Sequence, residues 1–377
     1  MKRKFLENIS VLPYLLLLLY CIVTVDKTVA GSNPEEKVKH WDLDFSISPF
    51  YDSNILKYSD KYITRFLNRQ DEGRFHINRY DDLVTKYSVG LSYSNEFIKK
   101  LESTFSFDFS YNRYSFNTVK NWVRYSVSWR QDFLPTSSFM ISYAFIPHFY
   151  VRHFRDEDWI TVYGYVPITF KPYEFSKDDF SFWIQHNIFK GTRARAYFSF
   201  MRYFLDPDNT EYDSQDYMGG IRVYQQITND LIISAGYKYT YSNAKGYDQP
   251  GETKQTSDDV DATNYSHTYL AGISYKLPVI LKMSNNINID VEYERCFFTT
   301  NHFYELDPIH AGRNDKNYDI AFTYNINLPG DIQMSAFYTL LGRKTATPAA
   351  ANAEYISDEK SYEQYQTGIE INYNFKF

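Results

Sequence analysis

The sequence predicts an all-β fold: a transmembrane antiparallel up-and-down β-barrel of about 14 strands. Three observations carry that expectation. Apolar and polar residues alternate with period two over most of the chain, which places them on opposite faces of extended strands. The 377 residues include 37 Tyr and 30 Phe, yet mean hydropathy is −0.49, a combination that suits a barrel with lipid outside and water inside. Beyond the first thirty residues there is no helical periodicity and no run of the roughly 18 apolar residues that a membrane helix needs.

Residues 1–30 read as a secretory signal peptide. Lys2, Arg3 and Lys4 precede an apolar run over 11–25, and Thr28-Val29-Ala30 offers small residues for cleavage after Ala30. The alternatives are a membrane anchor, for which the apolar run is short, and lipidation at Cys21, against which the bulky Tyr20 argues. Loss of this segment removes four cations and two anions and takes the formal charge from −6 to −8. That mild acidity argues against a nucleic-acid partner, which would want a basic footprint. One cysteine, Cys296, then remains, so no internal disulfide can form.

A polar leader over 31–40 precedes the first strand, in which Trp41, Leu43, Phe45 and Ile47 alternate with Asp42, Asp44, Ser46 and Ser48. From 51 to 80 the pattern fails and charges crowd in, so a long external loop is expected. Alternation over 87–93, 105–111, 123–129 and 139–145 gives four more strands. Over 153–179, Val162, Val166 and Ile168 hint at a strand, but Pro167, Pro172 and acidic clusters interrupt it. Proline removes ladder donors, so this stretch reads as an external loop or a strand extension beyond the bilayer. Strands resume at 180–184, 194–200, 219–223, 231–241, 269–275, 287–293, 318–326, 332–340 and 365–377.

The parity is consistent. Bacterial single-chain barrels have even strand numbers, with short turns on one side and long loops on the other. Thr228-Asn229-Asp230 and Leu328-Pro329-Gly330-Asp331 fall on one side; the loops 206–216, 243–263, 299–316 and 344–360 fall on the other. Sixteen strands are possible if 51–80 hides a hairpin.

In the last stretch Tyr365, Thr367, Ile369, Ile371, Tyr373, Phe375 and Phe377 alternate with Gln366, Gly368, Glu370, Asn372, Asn374 and Lys376. This resembles the closing strand of a Gram-negative outer-membrane β-barrel, porin-like in layout. The resemblance implies export to the outer membrane, contact with its lipids and lipopolysaccharide, and an assembly signal at Tyr373, Phe375 and Phe377 read by the insertion machinery. Pro49-Phe50-Tyr51-Asp52-Ser53-Asn54 is similar to a stretch in the barrels of surface-lipoprotein assembly modifiers, over those six residues alone.

The inward phase collects the ionisable residues. Asp42, Asp44, Asp108, Asp290, Glu292, Glu294, Asp319 and Glu370 come from the first, third and last strands; Lys86, Arg124, Arg130, Arg152, Arg193, Arg195, Arg222, Lys238 and Lys276 come mostly from the middle ones. Acids on one wall facing bases on the other would set a transverse field of the kind that sorts ions and small polar solutes. The expected function is therefore a water-filled pore, with mutual pairing that plugs the lumen as the structural alternative. A barrel for secretion, surface assembly or adhesion without a free pore is the other reading. No catalysis is expected: Ser266-His267 are strand neighbours and must face opposite ways. Asp156 and Asp158 with His153, and Asp258-Asp259, read as solvated loop acids. No cofactor or metal is expected, because the acidic loops, with Asp206, Asp208, Glu211, Asp213, Asp216, Glu252 and Asp261, lack a calcium-loop spacing.

Overall fold

In a computed structural model, which describes residues 40–98, 101–281, 283–348, 356 and 360–377, the chain closes into one antiparallel barrel. The signal-peptide reading of 1–30 and most of the leader lie outside the described residues. Among those described, fourteen strands run in sequence order: β1 (Trp41–Asp52), β2 (Asp82–Ile98), β3 (Leu101–Tyr114), β4 (Trp122–Leu134), β5 (Ser137–Arg155), β6 (Phe170–Phe189), β7 (Thr192–Leu205), β8 (Ser214–Gln226), β9 (Leu231–Ala244), β10 (Asn264–Ile280), β11 (Met283–Phe298), β12 (Asn314–Leu328), β13 (Ile332–Ala346) and β14 (Tyr362–Lys376). Each strand pairs with its sequence neighbours, and β1 pairs with β14 to close the ring.

Closure divides the side chains. On β14, Tyr365, Thr367, Ile369, Ile371, Tyr373 and Phe375 are exposed while the residues alternating with them are half-buried. The same phase exposes Ile221 and Val223 on β8, Ile289, Val291 and Tyr293 on β11, and Ile320 and Phe322 on β12. The result is an apolar outer belt. Aromatic residues gather at its two ends: Trp41 with Tyr93, and Phe105 stacked on Trp129, near the short turns; Tyr237, Tyr239 and Tyr265 near the long loops. A closed barrel with an apolar belt between aromatic girdles is the form in which β-structure crosses a membrane.

The strands exceed the 9–11 residues a bilayer needs. β5 and β6 have 19 and 20 residues, so their far ends stand beyond it. This settles 153–179 as strand extension at both ends. β5 runs on to Arg155 and β6 starts at Phe170, ten positions before the alternation becomes legible, with only a short helix α2 (Glu157–Tyr163) and one 3-10 turn between. Short turns obey local chemistry: in Leu328-Pro329-Gly330-Asp331, Gly330 and Asp331 both take positive φ, as a tight hairpin turn requires.

The segment 53–81 departs most from its expected form. It hides no hairpin, which removes the 16-strand alternative, and it does not simply extend outward. It carries helix α1 (Asp60–Leu67), capped by Ser59, whose side chain accepts from the Tyr62 amide. Ile55, Leu56, Tyr58 and Tyr62 bury themselves against Val84, Tyr114 and Tyr150, inward residues at the loop ends of β2, β3 and β5. The loop therefore folds into the barrel mouth, because these apolar side chains find cover there that no external loop would give.

Both stalks of the loop are pinned by buried polar groups. The Asp52 carboxylate accepts from Gln364 (2.7 Å) and Gln366 (2.8 Å) on β14 and from the Asn54 amide (3.0 Å). Asn54 in turn bonds the Tyr58 amide and carbonyl and the Glu363 carbonyl. At the other stalk Asp82 accepts from the amides of Ser115, Phe116 and Asn117, while Asn117 Oδ1 accepts from the amides of Asn78 and Arg79. An Asp52→Ala substitution strands two glutamine donors and should cost about 2–3 kcal/mol. The expected outcome is faster proteolysis within 53–81 with the barrel's heat-modifiable migration in gel electrophoresis retained; unchanged proteolysis would remove Asp52 from its pinning role.

Candidate functional site

The inward phase builds a wall of polar and charged side chains. Arg222 on β8 lies flat across β9 and β10 to reach Asp290 on β11 at 2.6 Å. It passes over Gly236 and Gly272, where an added Cβ would stand 3.1 Å from the Arg222 side chain and 2.6 Å from its guanidinium, respectively. Two glycines in strand interiors thus clear a path for one ion pair. Lys238 on β9 similarly reaches Glu292 at 2.7 Å, and Glu294 accepts from Asn317 (2.6 Å) and Ser266 (3.1 Å).

The remaining predicted wall residues are placed as follows. Asp42 and Asp44 share the Asn374 amide group; Asp108 accepts from Ser126 at 3.4 Å and faces Arg124. Arg130 pairs with Asp132 at 3.0 Å near a short turn. Arg193 stacks over Tyr224 (4.5 Å), and Arg195 bonds Gln185 (2.7 Å) and stacks over Trp183 (4.4 Å). Arg195 and Arg222 are direct cross-strand partners, and among the described residues no carboxylate pairs with Arg193 or Arg195. Asp319 sits within the electrostatic reach of Lys57, Lys238 and Glu292. Glu370, Lys86 and Lys276 lie on the same inward phase opposite Ser335, Asn112 and Asn286. The walls are thus not cleanly opposed: β8–β11 mix both signs in pairs, while β7 stays basic.

Arg152 has a different place. It donates to the carbonyls of Leu56 and Lys57 and stacks over Tyr58 at 4.7 Å, so it holds the inserted loop. Beside it, Lys120 is 5 % exposed, in the β3–β4 connection. Its Nζ donates to the Tyr150 carbonyl at 2.7 Å and lies near the Phe149 and Tyr150 rings. Burial first, then the charges of Arg152 and Lys57, push its pKa down to about 7. No sequence pattern marked Lys120, since a lone lysine in a short polar connection reads as solvated.

The loop side holds a cavity of about 860 Å³. Its lining includes Lys57, Arg152, Arg313 and Arg343 as well as Asp208, Glu211, Asp248 and Asp259. Burial, with Asp259, Asp248 and Asp156 nearby, pushes the Glu211 carboxyl up to about 8. Asp248, Glu252 and Asp259 bring carboxylate oxygens within 4.8 Å of one another; Ser257 Oγ donates to Glu252 and Asp259.

Serine–histidine geometry is also on view. Ser266 faces inward to Glu294, while His267 faces outward and bonds the Tyr237 hydroxyl at 2.6 Å. Ser137 and His186, partners across β5 and β6, are 2.6 Å apart, a pair that 49 residues of separation hid from sequence reading. Ser137 is buried, and among the described residues no carboxylate orients His186.

No family model and no curated protein matches the chain. Solved structures similar to it include a bacterial polysaccharide outer membrane secretin (8% identity over 88% of this chain and 98% of that one, TM-score 0.45). Others are the outer membrane channel DcaP of Acinetobacter baumannii (11%, 92% and 100%, 0.43) and the TodX monoaromatic hydrocarbon channel (8%, 89% and 91%, 0.44). At these values the likeness carries no inference about function. The architecture is that of a closed, up-and-down antiparallel β-barrel of fourteen strands among the described residues.

Lys120 makes stability pH-dependent. Its ordinary pKa is 10.5 and its folded value about 7, so the unfolded chain binds more protons between those values and stability falls as pH falls through that window. The urea midpoint of unfolding should be lower at pH 7 than at pH 9.5, and Lys120→Met should shrink the difference. A difference left unchanged by Lys120→Met would contradict this.

Proposed function

We propose that the chain is an outer-membrane channel whose interior carries water and passes ions or small polar solutes. One observation carries the reading. The Asp290 and Glu292 side chains are 55 % and 42 % exposed although they stand on the inward face of a closed barrel. Exposure inside a ring requires open volume beside it, and fourteen strands enclose more space than side chains fill, since about eight already fill it. With the wall neutralised in part at Arg222–Asp290 and Lys238–Glu292, Arg193 and Arg195 stand together on β7 with no carboxylate partner among the described residues, which favours anions along that strand.

The loop over 53–81 narrows the mouth without a covalent tether, so the alternative of a barrel for surface assembly or adhesion keeps one specific support: the Asp52–Asn54 network that shapes this entrance. Export by a signal peptide over 1–30, insertion through Tyr373, Phe375 and Phe377, and a non-catalytic role belong to the same proposal. The separation of Ser266 from His267 and the burial of Ser137 support the last of these.

Refolded protein in a planar bilayer should show discrete conductance steps. Arg193→Glu with Arg195→Glu should shift the reversal potential in a salt gradient toward cation preference. Absence of conductance would favour the assembly reading; conductance with unchanged selectivity would remove β7 from the permeation path.

A further inference from the structure

We propose that Arg295, Lys316 and Lys344 form a docking site on the outer wall for the phosphate of a lipid headgroup in the surrounding leaflet. The proposal rests on the membrane reading of the outer face and goes beyond the channel function, which it does not require. Strand register puts the three cations in one row: Arg295 on β11 pairs with Lys316 on β12, which pairs with Lys344 on β13. Each continues the outward phase of its strand, after Val291 and Tyr293, Ile320 and Tyr318, and Tyr338 and Leu340. All three are exposed. Among the described residues no carboxylate pairs with any of them; Arg295 has only the Phe297 ring at 5.0 Å.

Like charges directly opposite on paired strands are destabilising. Three in a row on one face cost stability unless an anion lies against them. The row's height says which anion. Lys316 and Lys344 stand about 10–12 residues from Ile326 and Ile332, at the turn-side start of the apolar stripes. At about 3.3 Å per residue and a tilt near 40°, that is roughly 25–30 Å, the upper edge of the apolar band. Directly below, Tyr237, Tyr269, Tyr293 and Tyr318 form a continuous cross-strand row, the headgroup-level girdle. Cations immediately above such a girdle, on the long-loop side, meet lipid headgroups. Phosphate matches them best, because guanidinium binds it bidentately and ammonium binds it as a point charge.

The test uses the full mature chain in detergent, titrated with lipid A and followed by native mass spectrometry. Arg295→Gln, Lys316→Gln and Lys344→Gln together should weaken binding at least tenfold, and lipid A stripped of phosphate should bind the unmodified chain equally poorly. Millimolar inorganic phosphate should not displace the lipid. Affinity unchanged in the triple variant, unchanged on removal of lipid phosphate, or abolished by free phosphate would each overturn the proposal. Should the triple variant fail to fold, the dephosphorylated lipid decides on the unmodified chain. A chain that stays soluble without detergent would instead refute the membrane reading itself.

Discussion

The structure depends on the closure of the hydrogen-bond ladder between β1 and β14. Trp41 and Phe377 exchange amide–carbonyl bonds at 3.1 and 3.0 Å at one end, and the pairing continues to Asp52 opposite Gln366 at the other. In hydrocarbon an unpaired backbone group costs several kcal/mol, so a sheet there must have no edge. Closure also fixes phase. Each strand belongs to two ladders, and a one-residue slip at any seam would turn a strand's apolar set inward. The outer belt, the polar wall and the outward cation row are all consequences of that single register.

What closure does not dictate is how the enclosed space is used, and here the interior behaves unlike a soluble core. The apolar cluster of Ile55, Leu56, Tyr58 and Tyr62 with Val84, Tyr114 and Tyr150 sits at the mouth, on a base of buried acids and amides. Further in, Arg222 pairs with Asp290 and Lys238 with Glu292 along the wall, with Gly236 and Gly272 keeping the path of Arg222 clear, while Arg193 and Arg195 find aromatic rings rather than carboxylates among the described residues. Wall pairing of this kind removes the penalty of isolated buried charge.

Strand number, parity and facing were legible because alternation is a local signal that two-sided burial imposes on every strand. Its limits are equally physical. Strand ends beyond the bilayer, as in β6 from Phe170 to Asp179, lose the apolar phase, so only the ladder reveals them. The inserted loop was hidden because its apolar residues are few and irregularly spaced, and their partners Val84, Tyr114 and Tyr150 lie far off in sequence. Wall charges could be assigned to a face, but the pairing of Arg222 with Asp290 across 68 positions needed the register of three intervening ladders. The motif through Asp52 and Asn54 was visible as a string, and its meaning, a pin for the loop stalk, came only with the β14 glutamines.

Cysteine accessibility along β14, in a Cys296→Ser background, tests the partition most directly. Single cysteines at 369 through 374 in the membrane-inserted protein, exposed to a charged, membrane-impermeant thiol reagent, should label alternately: strongly at 370, 372 and 374, and weakly at 369, 371 and 373. Uniform labelling, or the opposite alternation, would contradict a wall with water on one face and lipid on the other.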